Sequence, residues 1–178
     1  WVGTLAGLRP VKNLPRLVRA FAPLPDGWQL VIVGEGPERD AIRAEADRLG
    51  IGHRVHLPGF AADPARFAGL FDIFALSSDS EQAPISLIES MAASRPVAAT
   101  NVGDVAAMVS DENRPLIASD EAALAASLMR LAQDTELRST IGEANRHKAV
   151  TSFDEAGMIA AYRRLYSAAI GGDGLPPA

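Results

Sequence analysis

Two carboxylates and one ammonium group carry the chemistry that can be read in this sequence. Glu81 and Glu89, with seven residues between them, flank a helix predicted to start near Pro84, just beyond the apolar run Ile73 to Leu76. A helix start offers unpaired backbone N–H groups and a partial positive charge, which suits phosphate. One carboxylate ahead of the helix and one a turn inside it could hold hydroxyls on either side of that phosphate. This is the pattern of a nucleotide-sugar site. Lys12 stands in an earlier loop, just before a helix, where an ammonium could reach a diphosphate through a charge-assisted contact. Arg9 lies in the same loop.

Each of these residues also has a plainer reading. Taken singly, Lys12 and Arg9 are solvated surface cations, and Glu81 is a solvated loop carboxylate. Ser86-Leu-Ile-Glu89 matches a helix capping box, in which Glu89 would only satisfy backbone donors. Gly34-Glu35-Gly36 could let a ligand approach the backbone. It lacks the third glycine of a dinucleotide fingerprint, Arg39 standing there, and reads better as a tight turn into a helix. Pro58-Gly59-Phe60 could form a backbone ledge for a nucleobase, or an ordinary turn. His53 and His56 gather no further ligands, so no metal site is predicted.

Apolar patterning supplies the elements that must position these groups. Strands are predicted at Trp1 to Leu5, Gln29 to Val33, Val55 to Leu57, Ile73 to Leu76, Pro96 to Thr100 and Leu116 to Ala118. Between and after them the spacing predicts helices. One is capped by Asn13, one spans about Glu38 to Leu49, and a short one follows Asp63-Pro64 to about Leu70. Another starts at Pro84, and a short one covers Gly103 to Val109. One is capped by Asp120 and runs to about Ala132, one spans Thr135 to about Val150, and the last spans Phe153 to Ile170. Strands alternating with helices imply an α/β fold: a Rossmann-like, doubly wound parallel sheet of about six strands with helices on both faces. In such sheets ligands bind beyond the carboxyl ends of the strands. That rule singles out the loops Ala6 to Asn13, Gly34 to Glu38, Pro58 to Asp63 and Ser77 to Pro84.

Composition narrows the function classes. The chain has 178 residues, enough for one well-buried domain, and 48% hydrophobic residues, too many for a disordered chain. A net charge of −5 argues against a general nucleic-acid binder. With no cysteine, disulfides, thiolate metal sites and a cysteine nucleophile are excluded. That fits a cytoplasmic protein. No apolar run approaches the ~18 residues of a membrane span. The chain opens at Trp1, directly on strand-like residues, and is expected to be a fragment. Residues 1–170 are expected to form a single domain, with 171–178 a flexible tail.

The sequence resembles the C-terminal, donor-binding domain of GT-B glycosyltransferases of the large retaining group called family 4 or group 1. Val2-Gly-Thr-Leu through Arg9-Pro-Val-Lys12-Asn-Leu-Pro is similar to the family's opening strand and phosphate loop. Leu30-Val-Ile-Val-Gly-Glu-Gly-Pro37 is similar to its second strand and turn, and Val55-His-Leu-Pro-Gly-Phe60 to its base-binding loop. Ser80-Glu81-Gln-Ala-Pro-Ile-Ser-Leu-Ile-Glu89-Ser-Met-Ala-Ala is similar to its two-glutamate motif, the most specific of these. Arg95-Pro-Val-Ala-Ala-Thr-Asn-Val-Gly103 continues the likeness.

The resemblance implies a nucleoside-diphosphate sugar as donor, transfer with retention, and no metal or other cofactor. It implies that Lys12 neutralises the diphosphate and that Glu81 approaches the sugar hydroxyls. Backbone N–H groups around Pro84, Ile85, Ser86 and Leu87 would hold sugar and phosphate, and Glu89 would take the ribose hydroxyls. Gly7, Arg9, Gly34, Pro58, Gly59 and Gln82 complete the expected donor-binding set, with Lys12 and Glu81 the expected catalytic pair. It further implies an N-terminal acceptor domain absent from this chain, bridged to it by the last helix. Any membrane association, at the inner face, would run through that missing half. Two departures stand out. The family's arginine five residues before the lysine falls on Gly7, leaving Arg9 as the nearest substitute. Gln82-Ala83 also replaces a common Gly-Phe pair. The alternatives are a non-catalytic module that lost donor binding, supported by Gly7, or another GT-B chemistry such as a nucleotide-sugar epimerase or a phosphorylase.

Overall fold

In a computed structural model, which describes residues 1–170, the chain forms one sheet with helices on both faces. The strands are β1 (Val2–Leu5), β2 (Leu30–Val33), β3 (Val55–Gly59), β4 (Ile73–Leu76), β5 (Val97–Thr100) and β6 (Ile117–Ala118). All pair in parallel, in the order β3-β2-β1-β4-β5-β6. The order reverses direction between β1 and β4. The connections from those two neighbours lead to helices on opposite faces of the sheet, which marks the topological switch point of a doubly wound fold.

The strands are apolar on both faces, and period two divides them between two cores. Val2, Ile73, Ala75 and Ala98 face one core together with α1 (Leu14–Phe21), α2 (Arg39–Arg48) and α6 (Glu121–Gln133). Leu5, Phe74, Leu76, Val97 and Ala99 face the other, which also contains residues of α3 (Ala65–Ala68), α4 (Ile85–Ala92), α5 (Val105–Met108) and α7 (Thr135–Ser152). The last helix is α8 (Glu155–Ile170). Asp120 caps α6 as its sequence predicts, accepting from the Ala123 N–H at 2.8 Å.

Several expectations are corrected. Strand β3 runs on through Pro58 to Gly59, which pairs with Val33. Pro58 is tolerated there because β3 is the sheet edge, where a missing N–H leaves no ladder bond unmade. Asn13 occupies the position before α1 but does not cap it. It adopts a left-handed conformation, φ 42°, and its amide turns to Asp79 instead. The short helices α3 and α5 are each a single turn, and Phe153 lies ahead of α8 rather than in it. The expected tail at 171–178 lies outside the described residues.

Candidate active site

The loop after β1 and the loop after β4 meet at the switch point and are stapled together by side chains. The Ser77 hydroxyl donates to the carbonyls of Lys12 at 2.9 Å and Asn13 at 3.0 Å. The Asp79 N–H donates to the Val11 carbonyl at 2.8 Å. The Asp79 carboxylate accepts from Arg16 Nη2 at 2.6 Å and from the Asn13 amide at 3.2 Å. This fixes the short 3₁₀ turn Pro10–Lys12, which carries the ammonium, against the segment that carries Glu81.

Lys12 Nζ donates to Glu81 Oε1 at 2.6 Å, and the Ser78 hydroxyl donates to the same oxygen at 2.6 Å. The Glu81 side chain is 9% exposed and that of Lys12 24%. Beneath them, Gly103 sits at φ 52°, where a Cβ would come within 2.1 Å of the Glu81 carbonyl. Only glycine lets the chain after β5 pass so close. The Asp104 N–H then donates to the Gln82 carbonyl at 3.0 Å.

Helix α4 begins at this junction with no side-chain cap. Its start position is Pro84, not Ser86, so the capping-box reading of Glu89 fails. Ser86 already lies inside the helix, and the expected box is out of step with the real start. Pro84 has no N–H, and the Leu87 N–H donates to the Pro84 carbonyl at 3.1 Å. Of the expected donors Pro84 to Leu87, Ile85 and Ser86 therefore carry the first-turn N–H groups without an intrahelical acceptor. The Leu87 side chain is buried in the core, and Gln82 is exposed.

On the other side of the α4 start lies a cavity of about 330 Å³, lined among others by Gly7, Gly34, Glu35, Phe60, Ser86 and Glu89. The Glu89 carboxyl is pushed above its ordinary range, first by burial and then by the Asp63 carboxylate. Asp63 is itself paired with Arg66 at 2.8 Å. Gly34 does not offer a free N–H, since it donates to the Gly59 carbonyl at 2.9 Å. Its φ of 145° and the 1.9 Å that would separate a Cβ from the Ala6 carbonyl mark it as the contact between two loops. Pro58 and Gly59 do not line this cavity: the Glu35 carboxylate lies over Gly59, Pro58 lines a separate hollow, and of the expected base ledge only Phe60, its ring 78% exposed, borders the cavity. Gly7 is exposed, and a Cβ there would stand 3.7 Å from Arg9 Nε. Among the described residues the Arg9 guanidinium has no ion pair, whereas Lys12, Arg16, Arg39 and Arg66 each face a carboxylate.

Sequence reasoning passed over Ser78, Asp79, Asp63 and Gly103. The signal for the first two was present: a polar Ser77-Ser78-Asp79 run directly follows an apolar strand, where ligand loops begin. A larger apolar hollow of about 710 Å³ is lined by Trp1, Gln29, His53 and Val55 among others, at the amino ends of β1 to β3. Its lining also takes in Leu57 and the expected site residue Pro58 along β3, while its Trp1, Gln29 and His53 side lies away from the carboxyl strand ends where an α/β sheet binds ligands. Among the described residues no group of three or more His, Cys, Asp or Glu could hold a metal ion.

Residues 2–148 match the sequence family described as glycosyl transferases, group 1. The chain is 30% identical over 156 residues to the lipopolysaccharide core biosynthesis glycosyltransferase LpsE of Rhizobium meliloti (strain 1021), covering 86% of this chain and 46% of LpsE. It is 26% identical over 166 residues to the N-acetyl-alpha-D-glucosaminyl L-malate synthase of Bacillus anthracis, covering 91% of this chain and 44% of the synthase. The crystal structure of Anabaena Alr3699/HepE in complex with UDP superposes with a TM-score of 0.87 at 24% identity, over 94% of this chain and 48% of that one. That likeness establishes a shared fold. The chain spans about half the length of these relatives.

Proposed function

The chain belongs to the group 1 glycosyltransferases, and from that premise we propose that it is the nucleotide-sugar-binding half of a retaining enzyme. The observation that carries the reading is the meeting of Lys12 and Glu81, 2.6 Å apart, at the sheet's switch point beside the uncapped start of α4. A diphosphate would lie between the Lys12 ammonium and the Ile85 and Ser86 N–H groups, so that no metal is needed to balance it. The sugar would face Glu81. The nucleoside would fill the cavity beside Gly7, with its ribose on Glu89 and its base toward Pro58 to Phe60.

In the reaction the bond from sugar to phosphate oxygen breaks and a bond to the acceptor oxygen forms. Negative charge grows on the departing diphosphate. Lys12 and the helix start meet that charge where it develops, which is how a preorganised site lowers a barrier. The departing phosphate oxygen takes the acceptor's proton. Acceptor binding belongs to a second half, and α8, whose apolar residues Tyr162 and Leu165 are exposed, is suited to pack on it. This half alone would bind donor and turn over little, because positioning needs both walls of the cleft.

Calorimetry with UDP and GDP tests the reading. Lys12→Ala removes a charge-assisted phosphate contact and should cost roughly 1.5–3 kcal/mol, about ten- to a hundredfold in affinity. Equal affinity for the two proteins would remove Lys12 from the site. A second reading, a module that has lost donor binding, is favoured by Gly7 and by the carboxylate already neutralising Lys12. A folded wild-type chain that binds no nucleotide at millimolar concentration would establish it.

A further inference from the structure

We infer that the Ser78 hydroxyl is a positioning residue for Glu81: it ties down one carboxylate oxygen so that the other stays open to the ligand. This deepens the donor-site reading and rests on it. Glu81 Oε1 accepts from both Ser78 and Lys12 at 2.6 Å, while among the described residues Oε2 has no hydrogen-bond partner. The lysine ammonium is a compact point charge on a flexible stem, so nothing in Lys12 itself fixes which oxygen of a neighbouring carboxylate it meets. Were Glu81 free to turn, its Oε2 would be spent on Lys12, and Lys12 would be drawn from phosphate toward carboxylate.

Ser78 prevents that turn because it is itself immobile. It is 1% exposed, and its carbonyl accepts from the Thr100 hydroxyl at 2.7 Å, itself buried at the end of β5. The neighbouring Ser77 and Asp79 hold the Lys12 loop. The run Ser77-Ser78-Asp79 thus fixes the ammonium from one side and the carboxylate from the other, and Thr100 anchors it to the sheet. The division of labour is specific: Oε1 belongs to the protein, Oε2 to a hydroxyl of the bound sugar.

The test is a set of double-mutant cycles read by calorimetry with UDP, GDP and ADP, with melting temperature as the check on folding. Ser78→Ala should weaken the nucleotide diphosphate that binds by about three- to tenfold. In the Lys12→Ala and Glu81→Gln backgrounds the same change should have no further effect, since there is then no ammonium to capture or no carboxylate to capture it. A merely structural role would lower affinity equally in all three backgrounds, and that result overturns the inference, as does unchanged affinity in Ser78→Ala. If Ser78→Ala fails to fold, Thr100→Val, one link further back, should give the same pattern at smaller size. Additive losses there also overturn it. Wild-type protein that binds none of the three nucleotides removes the donor-site reading and the role of Ser78 with it. A wild-type protein that binds, with a silent Ser78→Ala, removes only the latter.

Discussion

Glu89 is the residue at which the functional and structural accounts part most sharply. A capping role would make it stabilising. The observed helix start gives it none, and burial together with Asp63 holds its carboxyl above the ordinary glutamate range. A carboxyl whose folded value is raised binds its proton more tightly in the native state than in the unfolded chain. Stability contributed this way is full below the unfolded value and is lost as pH rises through the folded one. Glu89→Gln should therefore melt higher than the parent at neutral pH, and the difference should vanish in acid below the ordinary glutamate range. The same substitution should weaken ribonucleotides more than their 2′,3′-dideoxy forms if the carboxylate holds the ribose. A variant that melts lower, with equal losses for both ligands, would return Glu89 to a structural role.

At the scale of elements, the site is a meeting of loops, and its precision depends on where backbones are allowed to touch. Gly103 is the clearest case, because the chain after β5 supports the peptide of Glu81 at a distance that excludes any Cβ. Gly103→Ala should cost roughly 1–3 kcal/mol in thermal unfolding, through an unfavourable φ and a forced displacement of the Glu81 carbonyl. It should weaken nucleotide binding as well, although the residue touches no ligand. The sequence makes the elements themselves legible: apolar runs such as Ile73 to Leu76 mark the strands, and the stripe Leu14, Leu17, Val18, Phe21 marks α1. It does not make legible the contacts between loops far apart in the chain. Asn13 reads as a cap because caps are local, yet its amide is taken by Asp79, some 66 residues away. Pro58-Gly59 reads as a strand end because the signal cannot say that β3 is an edge. The two glutamates and Lys12 stand out by residue type and placement at strand ends, and the polar run holding Ser78 by its position after a strand, whereas the bond from the Ser78 hydroxyl to Glu81 is visible only in the structure.

For the whole molecule, the two cores account for the sheet and its flanking helices but leave α8 apart. None of its residues belongs to either core among the described residues. Met158, Ile159, Tyr162, Leu165 and Tyr166 form an exposed apolar stripe at helical spacing. Under the proposed two-half reading, an exposed apolar stripe of this kind is suited to pack against the second half. Deleting residues 154–178 should then shift the melting temperature of this chain by less than about 2 °C, corresponding to under roughly 0.5–1 kcal/mol. On the proposed two-half reading, Tyr162→Glu combined with Leu165→Glu in a protein carrying both halves should reduce glycosyl transfer while leaving nucleotide affinity intact. A large loss of stability on deletion would mean that α8 packs on this domain instead.

The most direct test of the whole account is a crystal structure of the chain with UDP or GDP bound. The account predicts the diphosphate at the start of α4, accepting from the Ile85 and Ser86 N–H groups and from Lys12 Nζ, with the ribose hydroxyls on Glu89. A nucleotide seated instead in the apolar hollow at the amino ends of β1 to β3, or a Lys12 ammonium turned away from the phosphates, would contradict it.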